Sequence, residues 1–377
     1  MESRARHRRH PARRLGLGKA CARNKLTATA VLTITTSPSA LGDITLVRIT
    51  NASGASVVLS TLGAGIVEVN VAGRDGSLDD VVLGYADAAD YIGDGPCAGK
   101  VPGRYANRIA RGHLTIDGKE YSLPVNNGPN HLHGGPDGFQ NKIWGIVASD
   151  SDSVTMCYTS ADGEAGYPGK LTATATYRWT DACELELTLR ASTDAPTVVN
   201  LTNHAYWNLS GHSSGSVLDH KLMLAASQYL PTDSTLIPEG VLVPVAGSPM
   251  DFTKAKALGA DINIEFPALV YGKGYDNCWA VDDYTPGKVR TVAVLTDEVS
   301  GRRLTVDSDQ PGVQIYTGNW LARSPVNKAG RPYEDYDGVA IEWQDFPDAP
   351  NVPVFPSTTL RPGEEYERHI NFKFSII

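Results

Sequence analysis

The stretch LTATATYRWTDACELELTL, running from Leu171 to Leu189, decides the fold class. Its second half alternates strictly: Glu184, Glu186 and Thr188 are polar, while Leu185, Leu187 and Leu189 are apolar. Successive side chains of a β-strand point to opposite faces, so this arm has one wet face and one apolar face. Its first half, Leu171–Trp179, is rich in threonine and aromatic residues, which suit a pleated surface. The two arms read as a hairpin. Another spans His113 to Leu123: Leu114 and Ile116 alternate, Asp117-Gly118 supplies the turn, and Tyr121 and Leu123 return.

Outward from these hairpins the pattern repeats. Ile44–Ile49, Val57–Leu59, Ile66–Val71 and Val81–Leu83 are further β-type runs, recurring with turns between them. Helical periodicity is never sustained beyond brief pieces such as Asp87 to Tyr91. The 37 glycines and 23 prolines supply many turns. Nothing resembling a linker or short-period repeat interrupts Asp43 to Ile377. The expectation is an all-β protein: one large antiparallel β-sandwich domain over residues 41–377, with few short helices.

The net charge of −8 argues against a nucleic-acid partner, and it is unevenly spread. Up to Lys25 there are nine Arg or Lys against one acid, Glu2, so the remainder carries −16. Residues 1–40 are therefore set apart as a basic N-terminal extension, read as a disordered tail, a transit-type segment or a start placed too early. Its best apolar run, Ala28 to Ile34, is broken by Thr29 and Thr33, too short for a secretory signal. No run is long enough to span a membrane. The five cysteines (Cys21, Cys97, Cys157, Cys183 and Cys278) are scattered without a CxxC pair, as expected of reduced thiols in a cytoplasm.

Chemistry centres on a late segment, VAIEWQDFPDAPNVPVFP, Val339 to Pro356. Glu342 lies between Ile341 and Trp343 in a β-type run, placed by this reading at a strand end before a stiff loop with four prolines. Four earlier clusters supply candidate partners. GRYANRI (Gly103–Ile109) offers Asn107 and the planar fork of Arg108, which suit sugar hydroxyls, although a surface arginine is the plainer reading. NNGPNHLHGG (Asn126–Gly135) carries His131 and His133, a metal pair only if they share a strand face; the flanking glycines favour a loop and a hydrogen-bonding His133. NLTNHAYWNL (Asn200–Leu209) carries His204, which titrates near neutrality, and Trp207, a flat platform of the kind that packs on a sugar's C–H face. GKGYDNCWAV (Gly272–Val281) places Asp276 before Trp279, either to accept two hydroxyls or to cap a turn.

In this order the clusters resemble the aldose 1-epimerase (galactose mutarotase) family. The resemblance extends through PTDSTLIPEG (Pro231–Gly240), QPGVQIYTGNWL (Gln310–Leu321) and TTLRPGEEYE (Thr358–Glu367), and covers nearly the whole chain after the extension. It implies a large antiparallel sandwich with a cleft across one sheet, no cofactor and no metal. It implies that Glu342 is the general base and His204 the general acid, and that Asn107, Arg108, His133, Asp276 and Gln314 hold a monosaccharide. The chain departs from the pattern in two places: Asn277 and Cys278 follow Asp276 where many relatives have a histidine, and Trp207 stands where phenylalanine is usual. Either departure is a candidate to shift sugar preference.

The implied reaction interconverts the α and β anomers of free aldohexoses such as galactose and glucose. It requires an ionised Glu342, its pKa raised by burial beside Trp343, and a protonated His204 favoured by a nearby acid. A glycosidase using Asp276 and Glu342 needs the two carboxylates about 5–9.5 Å apart. A non-catalytic sugar-binding protein needs no proton donor, and a phosphosugar epimerase needs an added basic clamp. The expected species is a monomer or weak dimer.

Overall fold

The alternation of Leu185, Leu187 and Leu189 is realised as an antiparallel pair, Leu171–Trp179 against Glu184–Thr193, within a computed structural model that describes residues 30–377. All three leucines are fully buried, each removing apolar surface whose burial contributes about 1.5–3 kcal/mol. The pair lies in a nine-stranded sheet flanked by Ser153–Ser160 on one side and Tyr366–Ile376 on the other. A six-stranded sheet and a five-stranded sheet complete the main framework, and every named strand pair is antiparallel. One buried cluster joins residues of all three, among them Leu187, Ile49 and Ile341, so the core lies where the sheets meet. The all-β sandwich is as expected. One short α-helix, Pro267–Gly272, and a few 3₁₀ turns occur among the described residues.

Local details follow the residues. The His113–Ile116 and Lys119–Ser122 arms turn through Asp117 and Gly118, both at positive φ (51° and 78°), as a two-residue hairpin turn requires. Asp87 caps the 3₁₀ turn Ala88–Tyr91 by accepting the Ala89 N–H. The run Val81–Leu83 is not a strand; it contributes an isolated bridge between Val82 and Trp207. Residues 1–29 of the basic extension lie outside the described residues. Its later part, Val31–Ser37, forms a strand against Ile44–Thr50, consistent with the β-branched content of VLTITTS. Among the described residues no helix is long and apolar enough to cross a membrane.

Candidate active site

The six-stranded sheet places the chemistry. Its strands Asp276–Ala280, Gly312–Tyr316 and Val339–Gln344 are neighbours, with Glu342 opposite Gln314, Gln314 opposite Cys278, and Asp276 opposite Tyr316. Ile341, Trp343, Val313 and Ile315 enter the core, so alternation turns Glu342, Gln314 and Tyr316 to the other face. Glu342 is the fourth of six strand residues, not a strand end; it pairs with Gln314 on one side, while the strand's first two residues, Val339 and Ala340, pair with Trp207 and Tyr206 on the other. Trp343 faces away from it. The burial of Glu342 therefore has other sources.

That face floors a hollow of about 570 Å³, lined by Glu342, His204, His133, Asp276, Asn107 and Arg108. Six of the seven residues expected to act together are thus brought together. Gln314 does not line the hollow. Its Nε2 donates to Asp276 Oδ1 at 2.6 Å, supporting that carboxylate from behind. Arg108 donates through its Nη2 to Asp276 Oδ2 (3.3 Å) and through Nε to Asn127 Oδ1 (3.1 Å). Both oxygens of Asp276 are held, so it is presented as a fixed acceptor.

His204 and Glu342 are 4% and 2% exposed, with His204 Nε2 3.4 Å from Glu342 Oε1. The backbone of His204 is gripped at both ends: its N–H donates to Lys100 C=O and its C=O accepts from Gly99 N–H, each at 2.9 Å. Glu342 Oε2 finds no hydrogen-bond partner among the described residues. Burial pushes the Glu342 carboxyl well above the usual carboxylate range; the Asp276 charge adds to this and Arg108 opposes it. Burial also lowers the His204 imidazole, to about 4, with Asp276 opposing. This corrects the expectation that a neighbouring acid favours the imidazolium: desolvation of a buried ring outweighs the pairing.

His131 and His133 do not form a pair. The His133 backbone is left-handed (φ 52°), which breaks the strand alternation between them. His131 turns inward, bonded to Pro124 C=O (2.6 Å) and Tyr167 Oη (2.7 Å). His133 turns to the hollow and packs edge-on against His204, ring centroids 5.2 Å apart. Ligand atoms of His133, His204 and Glu342 fall within 4.8 Å of one another, so a metal reading needs testing. The Asn107 N–H donates to His133 Nδ1 at 3.1 Å. Burial keeps this ring neutral, its pKa held well below the usual value. Its proton therefore sits on Nε2, a donor suited to a hydroxyl or ring oxygen, whereas a metal ligand needs a bare nitrogen there.

The aromatic expectations are corrected. Trp207 is fully buried against Phe372 and Phe374 (centroids 5.0 and 5.6 Å), and Trp279 packs on Phe252 and Tyr275. Neither offers a platform to a sugar. None of Asn277, Cys278 and Trp207 lines the hollow; Asn277 and Cys278 instead line a small side cavity shared with Asp276 and Gln314. The aromatic walls are instead Tyr206, Tyr316, Tyr271 and Trp320, the last 54% exposed. The sequence reading missed these, although Tyr316 stands two residues beyond Gln314 and so on the same strand face.

A family profile described as aldose 1-epimerase matches residues 45–373. The chain is 42% identical over 321 residues to the galactose mutarotase of Rattus norvegicus, covering 85% of this chain and 91% of that protein. It is 37% identical over 331 residues to the aldose 1-epimerase of Escherichia coli K12, covering 87% and 94%. Among solved structures, the GalM/aldose epimerase homologue from C. elegans superposes with a TM-score of 0.82 at 30% identity, covering 91% of this chain and 100% of that one. The chain belongs to the aldose 1-epimerase family.

Proposed function

We propose that this protein is a mutarotase, interconverting the α and β anomers of a free aldohexose such as galactose or glucose. The observation that carries the reading is the buried contact between His204 and Glu342 on the floor of a hollow large enough to admit a monosaccharide. Glu342 takes the proton from the anomeric O1, His204 gives one to the ring O5, the C1–O5 bond breaks and C1=O1 forms. Rotation about C1–C2 presents the other carbonyl face. Reversed transfers close the ring with C1 inverted, and both residues regain their starting protons.

The pair's electrostatics fit this cycle. The state that burial favours, with neutral carboxyl and neutral imidazole, is the protonation state that accompanies the open-chain aldehyde. The charged pair needed for ring opening holds the same number of protons, so a shift across the 3.4 Å contact interconverts the two. Asp276 favours the imidazolium but opposes the Glu342 carboxylate, so Arg108 is the charge that draws the carboxyl toward the ionised form needed for ring opening. His133 Nε2–H and the Arg108 guanidinium are the donors for sugar oxygens where charge develops.

The test is polarimetry with the pure α anomers of galactose and glucose, run beside an aryl glycoside. Accelerated mutarotation with an intact glycoside supports the reading, whereas glycoside hydrolysis without faster mutarotation overturns it. The hold of Arg108 and Gln314 on Asp276 speaks for a binding role rather than a glycosidase's second catalytic carboxylate. Cys97, Cys157, Cys183 and Cys278 form no disulfide among the described residues, which fits a reducing, cytoplasmic setting.

A further inference from the structure

The segment PTDSTLIPEG has no role in the scheme above, yet it forms part of the cleft wall. Ser234, Thr235 and Leu236 line the hollow, while Asp233 Oδ1 accepts from the backbone of Thr235 and Ile237 and so fixes the turn. At its root, Thr232 faces a small side cavity of about 10 Å³, also lined by Gln314, Asp276 and Asn107. A space of this size holds one water molecule. Three polar side-chain atoms of the lining residues are fully buried without a partner among the described residues: Thr232 Oγ1, Gln314 Oε1 and Asn277 Nδ2.

The orientation of Gln314 is not arbitrary. The carboxylate of Asp276 only accepts, so the group 2.6 Å from Oδ1 is the amide nitrogen, and Oε1 is the acceptor left over. A buried acceptor without a donor is costly, and a flipped amide would set its oxygen against the carboxylate. We infer that the cavity holds one ordered water that donates to Gln314 Oε1 and is held by Thr232 Oγ1. Thr232 is thereby a positioning residue for the sugar-binding carboxylate Asp276. The chain of contacts runs from Thr232 through water and Gln314 to Asp276. It rests on the proposed mutarotase reading, because Asp276 is taken to bind the sugar.

Thr232→Val keeps the side-chain shape and removes the hydroxyl. The expected result is a KM for the aldose raised about 3–10-fold with kcat nearly unchanged, the pattern of lost uniform binding, and Thr232→Ser restores it. A high-resolution crystal structure of the unaltered protein is expected to show a water within hydrogen-bonding distance of both atoms. A dry cavity overturns the inference, as does an unchanged KM in Thr232→Val. If the unaltered protein speeds no aldose's mutarotation, the functional reading fails on its own, while the density in the cavity still decides the water.

Discussion

His204 Nε2 lies 3.4 Å from Glu342 Oε1, although the two residues are brought in by separate segments of the six-stranded sheet region. The link between them is a strand pair: Tyr206 opposes Ala340, two residues from His204 and two from Glu342. That register, with the backbone bonds from His204 to Gly99 and Lys100, makes the contact a property of the fold rather than of two flexible side chains.

The first expectation concerns pH. The reactive pair must carry one titrating proton, so activity fails when a second is added and when the only one is lost. The lowered His204, at about 4, sets the acid side, and the raised Glu342 puts the alkaline side above the ordinary carboxylate range. A bell-shaped kcat/KM profile should follow, its acid limb well below the ordinary histidine pKa of about 6.5. The two limbs belong to the pair jointly. A single acid limb near an unperturbed histidine value counts against this account.

Replacing the base separates chemistry from binding. Glu342→Gln keeps the shape and removes the ionisable group, so turnover should fall by at least ~10²-fold while sugar affinity, read by calorimetry, is retained. Near-normal turnover would refute Glu342 as the base and favour a different proton acceptor.

Arg108 spans Asn127 and Asp276 with one planar group, a geometry that lysine does not reproduce. Arg108→Lys should raise KM by about 10-fold and lower kcat as well, since the residue both holds Asp276 and favours the Glu342 carboxylate. Steady-state kinetics on galactose check both parts. A change confined to KM would remove the electrostatic role.

Much of the fold was legible because a period of two is a local signal: Glu184 to Leu189 declares its faces without reference to anything distant. Glu342, His204 and five binding residues were legible through motif resemblance, and six of the seven meet at the hollow. What escaped the sequence is directional. The strand Tyr206–Trp207 is two residues long, too short to reveal which ring faces the core. The positive φ of His133 reverses the alternation that would have paired it with His131. The titration of His204 depends on burial by distant segments, which a neighbouring acid in the sequence cannot convey.

Trp207 gives a prediction about specificity through its absence from the site. Trp207→Phe loses packing against Phe372 and Phe374, but it also removes an indole N–H that is buried without a partner among the described residues. These changes oppose each other, so stability should shift by less than about 1 kcal/mol. The ranking of galactose, glucose and pentoses by kcat/KM should stay the same. A reordered ranking would mean that this ring acts on the hollow through the sheet.

His131 carries the last prediction, on stability rather than catalysis. Its ring is buried between Pro124 and Tyr167, and burial lowers its pKa from 6.5 to about 4. In the unfolded chain it takes up a proton near 6.5, so between that pH and about 4 the unfolded state binds more protons than the folded one. Stability therefore declines as pH falls through this window, and the decline from this group ends once both states are protonated. The contribution is on the order of 3 kcal/mol across the window. Denaturant unfolding at pH 7 and pH 4.5 should show a smaller difference for His131→Gln than for the unaltered protein. Equal differences would mean that the imidazole is protonated in the fold and that its partners, not its burial, set its charge.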